Sequence, residues 1–384
     1  MRDSHLSRRQ FSARALALGV TAGSIPGVLA ACGGDDSDSA AGAGQVGGNL
    51  DFLSWEGYDL PKIMTPWEKA HAVKLKSTYI ASHDDIQAKI LSGGGKGIDI
   101  TTYGPHYASF YQESKVIEPL DESKIPNLDN LLPLFASDIN DAWITSDGTR
   151  YGAPFTWGAI GLLYDSNVLD EPSSYDILFE PDMKGKVGFI EDPSGCYDAA
   201  ANTLGIDVAK MTQDDFKTVT DYLIKIAKQT KGIAPSNGDL TNRFVSGEVQ
   251  VAFNGWAAVG SFAQQAGKSG IKVAFPGRGG YTFVDSWALP SGADNPDTTY
   301  AWINKTLEPK INAKAAEFLV GGVTVKDAVK LLPDSLTKML PHDDLEGFIE
   351  KVPLQANPPF KSTEFVTFDE MLEGWAKVKV AAGG

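Results

Sequence analysis

Acidic and aromatic residues recur at the predicted ends of β-strands and in the turns that follow them. The set consists of Trp55, Tyr58, His106, Asp192, Phe253, Trp256, Phe283 and Asp285. In an open α/β sheet, ligands bind beyond the carboxyl ends of the strands. Aromatic faces attract an organic cation through cation–π contact, and carboxylates hold it through charge-assisted hydrogen bonds. We therefore expect the set to bind a small amine-bearing solute, although a single aromatic residue of this kind more often belongs to a core.

Motifs for catalysis or metal binding are missing from the sequence. The histidines form no His-x-x-x-His pair, and no Gly-x-Ser-x-Gly elbow is present. The glycine-rich segment at residues 92–97 lacks the earlier glycine of a phosphate loop, because residue 90 is Ile, and no Ser or Thr follows Lys96. The sequence therefore predicts a protein that is not an enzyme and that has no metal site and no cofactor.

The elements that must position these residues alternate between strand and helix. Strand composition occurs at residues 50–53, 73–80, 98–102, 160–164, 187–190, 249–253 and 271–275. Helical stretches are predicted near residues 61–71 and 84–91, and helices dominate from about residue 298 to 380, with breaks near Pro333 and Pro358. This alternation predicts two α/β units with parallel strands.

The bulk composition excludes some partners. The chain has 384 residues, enough for about two domains, with 34 Lys and Arg against 49 Asp and Glu and a net charge of -15. The first 31 residues carry four Arg and one Asp, so removing them changes the charge from -15 to -18. An acidic chain of this kind is not expected to bind nucleic acid or an anionic membrane surface.

The N-terminus has the pattern of an exported lipoprotein. Arg8 and Arg9 precede an apolar run, and the segment ends in Leu29-Ala30-Ala31-Cys32. Residues 1–31 are predicted to be a signal peptide, with paired arginines that resemble a twin-arginine export signal. Leu-Ala-Ala-Cys resembles the bacterial lipobox, so we expect lipid on Cys32, a flexible tether at residues 33–48, and a position in the periplasm or at the cell surface. Cys196 is then the one remaining thiol, and we expect it to be a partly buried structural residue.

Several ordered blocks resemble the spermidine/putrescine-binding proteins of polyamine ABC importers. The blocks lie at residues 54–58, 97–100, 155–161, 184–192, 246–249 and 279–286. The resemblance implies that Trp55, Tyr58, Asp192 and Asp285 line the pocket, and that Phe253 and Phe283 stand where the family usually has tryptophan. Other positions depart from the family: Gly195 replaces an acid, Gly104 a serine, His106 a tyrosine, and residues 321–326 differ from the family's Gly-Tyr-x-Thr-Pro-Asn block. These departures remove polar or aromatic contacts that a polyamine would use.

The resemblance also implies a two-lobed type II periplasmic-binding-protein fold, α/β in class, with the ligand cleft between the lobes. We expect one lobe at residues 49–156 plus 285–325, and the other at residues 157–284 plus 326–384. Closure of the lobes over the solute would let the protein, as a monomer, dock on an ABC permease driven by an ATPase subunit, with the lipid anchor as its sole membrane contact. Two alternatives remain open from the sequence: a lipid-anchored hydrolase, and a binding protein that feeds a chemoreceptor.

Overall fold

The computed structural model describes residues 45–80, 83–137 and 142–383. The predicted signal peptide, Cys32 and most of the predicted tether lie outside the described residues. The first strand begins at Gly48, one residue before the predicted start of the fold. The preceding Gly47 donates its backbone N–H to the Thr298 hydroxyl at 2.9 Å, so the end of the predicted tether belongs to the folded part.

The described strands form one mixed sheet. They are β1 (Gly48–Trp55), β2 (Val73–Ile80), β3 (Ile100–Tyr103), β4 (Ile117–Glu118), β5 (Ala153–Asp165), β6 (Val187–Phe189), β7 (Val251–Trp256), β8 (Ile271–Ala274), β9 (Tyr281–Pro290) and β10 (Gly322–Val323). The main order is β2-β1-β3-β9-β5-β7-β6, with β4 beside β9 and with β8 and β10 beside β5. The predicted parallel pairing is confirmed for β1 with β2 and β3 and for β6 with β7.

Two antiparallel strands join the parallel sets, and the sequence reading described both incompletely. Strand β5 is buried along its whole length, because it is paired on both edges and its composition is almost entirely apolar. Strand β9 was not predicted, and Asp285 was expected near a strand end. Instead, Asp285 lies in the middle of β9, opposite Thr156 of β5, and the next residue, Ser286, pairs with Tyr103 of β3. The predicted position of Asp285 at a strand end was wrong, because Thr282, Asp285 and Ser286 interrupt the apolar pattern on which the strand assignments relied.

The helices cover the sheet and dominate the C-terminal part, as predicted. They are α1 (Thr65–Ala70), α2 (His83–Gly93), α3 (Ala108–Glu113), α4 (Pro133–Ala136), α5 (Pro193–Leu204), α6 (Gln213–Ala227), α7 (Asn237–Val245), α8 (Ala258–Gln265), α9 (Pro296–Thr306), α10 (Pro309–Leu319), α11 (Lys326–Val329), α12 (Asp334–Met339), α13 (Leu345–Lys351) and α14 (Phe368–Ala382). Short 3-10 helices lie at Pro105–Tyr107, Glu122–Lys124, Pro126–Asn130, Tyr175–Phe179, Pro181–Met183 and Val208–Lys210. Within the described ranges, no helix has both the length and the apolar composition needed to cross a bilayer.

Two large apolar cores contain most of the buried hydrophobic side chains of the described residues. One core contains Phe52 and Trp302, and it also takes in Leu345 and Val352 from the C-terminal helices. The other contains Phe189 and Trp375 of α14. The lobe boundaries stay a prediction. This packing leads us to propose that residues 326–352 belong with the first lobe, since their apolar side chains pack on its core.

Candidate ligand-binding site

A buried carboxylate, Asp285, is surrounded by aromatic and imidazole rings. Asp285 is 5% exposed, and the Tyr58 hydroxyl donates a hydrogen bond of 2.5 Å to its Oδ2 atom. His83 Nε2 lies 3.8 Å from the Oδ1 atom. The Trp55 and His83 ring centroids are 5.2 Å apart, and those of His83 and His106 are 5.1 Å apart. We call Trp55, Tyr58, His83, His106 and Asp285 the Asp285 cluster.

The parallel arrangement of three strands brings this cluster together. Trp55 is the last residue of β1, His83 opens α2 after the end of β2, and His106 lies in the 3-10 turn that follows β3. Because the carboxyl ends of parallel strands meet at one edge of a sheet, these three side chains converge there. Asp285 reaches the same place from β9, which pairs with β3.

Burial sets the charges in the Asp285 cluster. Burial raises the pKa of Asp285 to about 6, although the hydrogen bond from Tyr58 opposes that shift. Burial lowers the pKa of His83 to about 4, and burial, followed by the proximity of His83, holds the pKa of His106 well below its usual value. At neutral pH Asp285 is therefore ionised and both imidazoles are neutral. The contact between His83 and Asp285 is not an ion pair, and the cluster carries a single negative charge.

A second carboxylate, Asp192, is partly buried beyond the end of β6 and accepts three hydrogen bonds from the protein. It caps the N-terminus of α5 by accepting from the Gly195 N–H at 3.2 Å. Its other oxygen accepts from Asn254 Nδ2 and from the Tyr281 hydroxyl, each at 3.2 Å. Asn254 Nδ2 also lies 3.4 Å from the thiol of Cys196. We call Asp192, Gly195, Cys196, Asn254 and Tyr281 the Asp192 cluster.

Two departures from the polyamine-binding pattern have a steric basis. A Cβ atom at Gly195 would lie 2.1 Å from Asp192 Oδ2 and 2.3 Å from the Tyr281 hydroxyl, so the hydrogen bond between those groups occupies the space of an acid at position 195. A Cβ atom at Gly104 would lie 2.5 Å from Cε1 of His106. The substitutions at positions 104 and 106 are therefore coupled, because the His106 ring fills the space that a serine at position 104 would need.

Strand β9 connects the two clusters along one of its faces. Tyr281, Phe283 and Asp285 alternate along the strand, so their side chains point to the same side of the sheet. Tyr281 reaches Asp192, Asp285 reaches Tyr58, and Phe283 lies between them with its ring centroid 6.4 Å from that of Trp256. At the rise of a β-strand, the backbones of Tyr281 and Asp285 are about 13 Å apart. This face is long enough to contact a small linear molecule.

The eight residues predicted from the sequence to bind the solute do not all lie in one place. Trp55, Tyr58, His106 and Asp285 come together in one cluster, Trp256 and Phe283 are in contact, and Asp192 lies in the other cluster. Phe253 is 0% exposed and packs against Phe189 and Tyr175 in the core, so we do not retain it as a pocket residue. Phe253 was predicted at the end of a strand, but it lies inside the buried strand β7, two residues after Val251, and such a position is typical of a core residue.

Two residues with strong electrostatic signatures were missed by the sequence reading. His83 comes three residues after Ile80, the last residue of β2, and its place after a strand that pairs with the Trp55 strand was the signal that could have identified it. Asp198 is buried on α5, where it accepts from the Ala356 N–H at 3.1 Å and from Asn202 Nδ2 at 3.2 Å. Burial holds the pKa of Asp198 well above its usual value. No pattern in the sequence distinguishes Asp198 from other helical acids.

A loop between α13 and α14 connects the surroundings of both clusters. Its backbone pairs with Thr282 of β9, the Ala356 N–H binds Asp198, and Asn357 Nδ2 donates to the carbonyl of His106 at 3.3 Å. A cavity of about 210 Å³ opens beside this loop. Its lining consists of Pro105, His106, Ala142, Leu354, Gln355, Ala356 and Asn357.

The site lacks protein partners for several of its charged and polar groups. Among the described residues, no Lys or Arg forms an ion pair with Asp192, Asp198 or Asp285. Buried polar atoms without a hydrogen-bond partner in the described part of the chain include Trp55 Nε1, His83 Nδ1, both ring nitrogens of His106, Asn254 Oδ1, Trp256 Nε1 and Asn357 Oδ1. Buried polar groups in folded proteins are normally paired, so such a concentration indicates a place where a ligand supplies the partners. The described residues hold no group of His, Cys, Asp and Glu suited to a metal ion.

Comparison with known proteins identifies the family. The model of the bacterial extracellular solute-binding proteins matches residues 62–342, which is most of the chain. The chain belongs to this family. The family consists of solute-binding proteins, and the α/β, two-lobed fold class predicted from the sequence is confirmed by the solved structures that the chain resembles.

Individual members of the family confirm the resemblance found in the sequence. The putrescine-binding periplasmic protein PotF of Escherichia coli (strain K12) is 27% identical over 306 residues, which cover 74% of this chain and 80% of that protein. The spermidine/putrescine-binding periplasmic protein of the same organism is 26% identical over 316 residues, covering 81% and 82%. The Tp0655 (TpPotD) lipoprotein of Treponema pallidum superposes with a TM-score of 0.71 at 21% identity, covering 86% of this chain and 99% of that one.

Proposed function

We propose that this family member is the extracytoplasmic solute-binding component of an ABC importer and that it captures a small amine-bearing solute at the Asp285 cluster. The observation that carries the proposal is Asp285 itself: an ionised, buried carboxylate without a Lys or Arg partner among the described residues. A buried charge without a partner is costly, so it persists where a ligand supplies the opposite charge. The predicted pocket role of Asp285 agrees with this placement.

The cluster holds an ammonium group by two kinds of contact. Asp285 Oδ1 accepts no hydrogen bond from the described residues, so it is available for a charge-assisted hydrogen bond from the ammonium. The rings of Trp55 and Phe283 add apolar surface and cation–π attraction. Both imidazoles are neutral at pH 7, so they do not repel the cation.

Release and delivery require the clamp to open and close. Strands β5 and β9 and the loop beside the cavity run between the surroundings of the two clusters, which makes them the connections at which the lobes would hinge. The closed form would then dock on the permease, and the separate ATPase subunit would drive transport. A chemoreceptor could use the same closed form; uptake of labelled amine in cells with and without the permease distinguishes these roles.

A thermal-shift screen tests the proposal directly. The purified protein is melted in the presence of diamines, polyamines, ω-amino acids and monoamines, and each stabilising compound is then measured by calorimetric titration. We expect at least one amine to raise the melting temperature, since binding to the folded state stabilises it by mass action. If no compound that bears an ammonium group binds, while anions or sugars do, the proposed function is wrong.

The hydrolase alternative gains no support from the thiol. Cys196 is 0% exposed, and burial, followed by the proximity of Asp192, holds the pKa of its thiol well above the usual value. A thiol in this state is a poor nucleophile. Cys196 lies on α5 and is more deeply buried than the sequence predicted, because its side chain is part of an apolar core.

The lipid anchor is proposed on the sequence alone. Replacing Cys32 with Ser removes the thiol to which the lipid would be attached, so the variant should move from the membrane fraction to the soluble fraction of the cell. The matched control is Cys196→Ser, which leaves the predicted lipobox intact and should stay with the membranes. Equal membrane association of the Cys32→Ser variant and the wild type would contradict the anchor.

A further inference from the structure

We propose that the solute carries a carboxylate, or an equivalent hydrogen-bond acceptor, in addition to its ammonium group, so that a zwitterionic ω-amino acid fits this site better than a diamine. This inference rests on the proposed function, because it takes the Asp285 cluster and the adjoining face of β9 as the place where an amine binds. It concerns the chemistry of the other end of the solute.

Two indole groups at the site need an acceptor. Trp55 Nε1 and Trp256 Nε1 are buried, and neither has a hydrogen-bond partner among the described residues. An indole N–H group can only donate a hydrogen bond. An ammonium group also only donates, so it cannot serve as the acceptor that the indole needs. Trp55 ends β1 and Trp256 ends β7, which places one donor at each parallel half of the sheet.

Unpaired indole groups elsewhere in the fold differ in one respect. Trp302 and Trp375 also lack a partner for Nε1 in the described part of the chain, but they are 0% and 4% exposed and lie inside the two cores. No solute can reach them. Trp55 and Trp256 are partly exposed and stand at the strand ends where α/β sheets bind ligands.

The three acids differ in how many hydrogen bonds the protein already gives them. Both oxygens of Asp192 and both oxygens of Asp198 accept hydrogen bonds from the protein, so a second ammonium group would have to share these acceptors with protein donors. Asp285 alone among these three acids has an oxygen with no hydrogen bond from the described residues. The position that carries an acid in the polyamine-binding pattern is Gly195, where the Tyr281 hydroxyl takes up the space.

The neutral imidazoles complete a site for both charges. Each neutral ring can donate from one nitrogen, and His83 Nδ1 and both nitrogens of His106 are unpaired within the described residues. A carboxylate on the solute could therefore accept from an indole N–H and from an imidazole N–H. A fully protonated diamine could use these rings as acceptors, but it would leave both indole donors unpaired.

Matched pairs of probes test this inference. Putrescine is compared with γ-aminobutyrate, and cadaverine with δ-aminovalerate, because each pair has the same carbon spacing and differs in one terminal group. Calorimetric titration on the purified full chain should show the amino acid of at least one pair binding about 10-fold to 100-fold more tightly than its diamine, the range of a charge-assisted hydrogen bond.

Conservative tryptophan variants separate hydrogen bonding from packing. Trp55→Phe and Trp256→Phe keep a large aromatic ring and remove the N–H group. Each variant should bind the amino acid about 3-fold to 10-fold more weakly, and its affinity for the diamine should change by less than about 2-fold. The matched control is Trp67→Phe, because the Trp67 ring packs against His71 and Trp302 outside the Asp285 cluster. This variant should bind both probes with the affinity of the wild type.

The outcomes distinguish this inference from the function on which it rests. Tighter binding of the diamine in both pairs, or equal losses for both probes in the tryptophan variants, overturns the inference and leaves the amine-binding function intact. Failure of every diamine and every amino acid to bind overturns both. Tighter binding of the amino acid, with a loss confined to that probe in the Phe variants, supports both.

Discussion

The Asp285 cluster and the Asp192 cluster each contain an aspartate and are connected by β9, yet the two carboxylates are in different states. Burial raises the pKa of both. Asp192 accepts three hydrogen bonds from the protein and caps a helix, whereas Asp285 accepts one, from Tyr58. The comparison indicates that burial and a raised pKa do not by themselves identify a ligand-binding acid. The number of hydrogen bonds that the protein has already supplied separates a structural acid from one that is available to a solute.

The largest effect is expected from Asp285→Asn, which keeps the shape of the side chain and removes its charge. Amine affinity should fall by about 1.5 to 3 kcal/mol or more, because a charge-assisted hydrogen bond in a buried site is lost. The melting temperature without solute should stay level or rise, since an unpaired buried charge is removed. Calorimetric titration and a melting curve measure both quantities. Asp327→Asn is the control, because Asp327 is an exposed acid paired with Lys330. Retained affinity with lowered stability would assign Asp285 a structural role.

The opposite pattern is expected for Asp192→Ala. Losing the helix cap and leaving Asn254 and Tyr281 without their acceptor should lower the free energy of unfolding by about 1 to 3 kcal/mol. Amine affinity should change by less than about 3-fold, measured under conditions where the variant is folded. Chemical denaturation gives the stability and calorimetric titration the affinity. If Asp192→Ala instead abolishes binding at wild-type stability, the distinction between the two clusters is wrong, and Asp192 is the pocket residue that the sequence predicted.

The pH dependence of binding should follow Asp285. Its pKa of about 6 means that a proton is bound as the pH falls through that value, and the protonated acid no longer attracts a cation. Affinity should therefore be constant above about pH 7 and fall below pH 6, by about 10-fold at pH 5, with uptake of the amine releasing a proton. His83, with a pKa of about 4, stays neutral over this range.

The contribution of Asp285 to the stability of the unliganded protein should fall as the pH rises, opposite to the trend in affinity. A carboxyl whose pKa is raised in the folded state binds its proton more tightly than the unfolded chain does, so this contribution destabilises the fold as the pH rises from about 4 to 6. The Asp285→Asn variant should lose both trends, whereas Asp192→Ala should keep the pH dependence of affinity. Titrations in buffers of different ionisation enthalpy count the released proton. An unchanged pH profile in the Asp285→Asn variant would contradict the assignment.

The smallest effect is expected from Tyr58→Phe. The Tyr58 hydroxyl stabilises the ionised form of Asp285, so removing it should raise the pKa of that carboxyl further and shift the fall in affinity to higher pH. At pH 7 the amine should bind about 2-fold to 10-fold more weakly. The control is Tyr164→Phe, since Tyr164 lies on β5 at the opposite end from Thr156 and its ring is outside both clusters. A pH profile that does not shift would show that Tyr58 does not act through Asp285.

The sequence identified most elements and part of the site. The residues of β2 were predicted without error, because its alternating pattern is visible within eight consecutive residues. Trp55 and His106 were predicted to lie near each other because they follow strands whose carboxyl ends meet in a parallel sheet, and the structure places both rings next to His83. Strand β9 and His83 were missed, and Phe253 was included although it belongs to the core. Strand β9 was missed because polar residues interrupt its apolar pattern. The errors for His83 and Phe253 depend on which elements lie next to each other in the fold, and local pattern does not contain that information.

The sequence by itself determined the class of protein, the alternation of strands and helices, and the residue types that suit an amine. The tertiary structure decided which acid keeps an oxygen without a hydrogen bond from the described residues. Asp192 accepts hydrogen bonds from Asn254 and Tyr281, which are 62 and 89 residues away in the chain, and Asp285 accepts one from Tyr58, which is 227 residues away. Hydrogen-bond saturation is a property of neighbours in space, and a long-range strand order brings those neighbours together. The identity of a carboxylate can therefore be read from the sequence, but its hydrogen-bond state cannot.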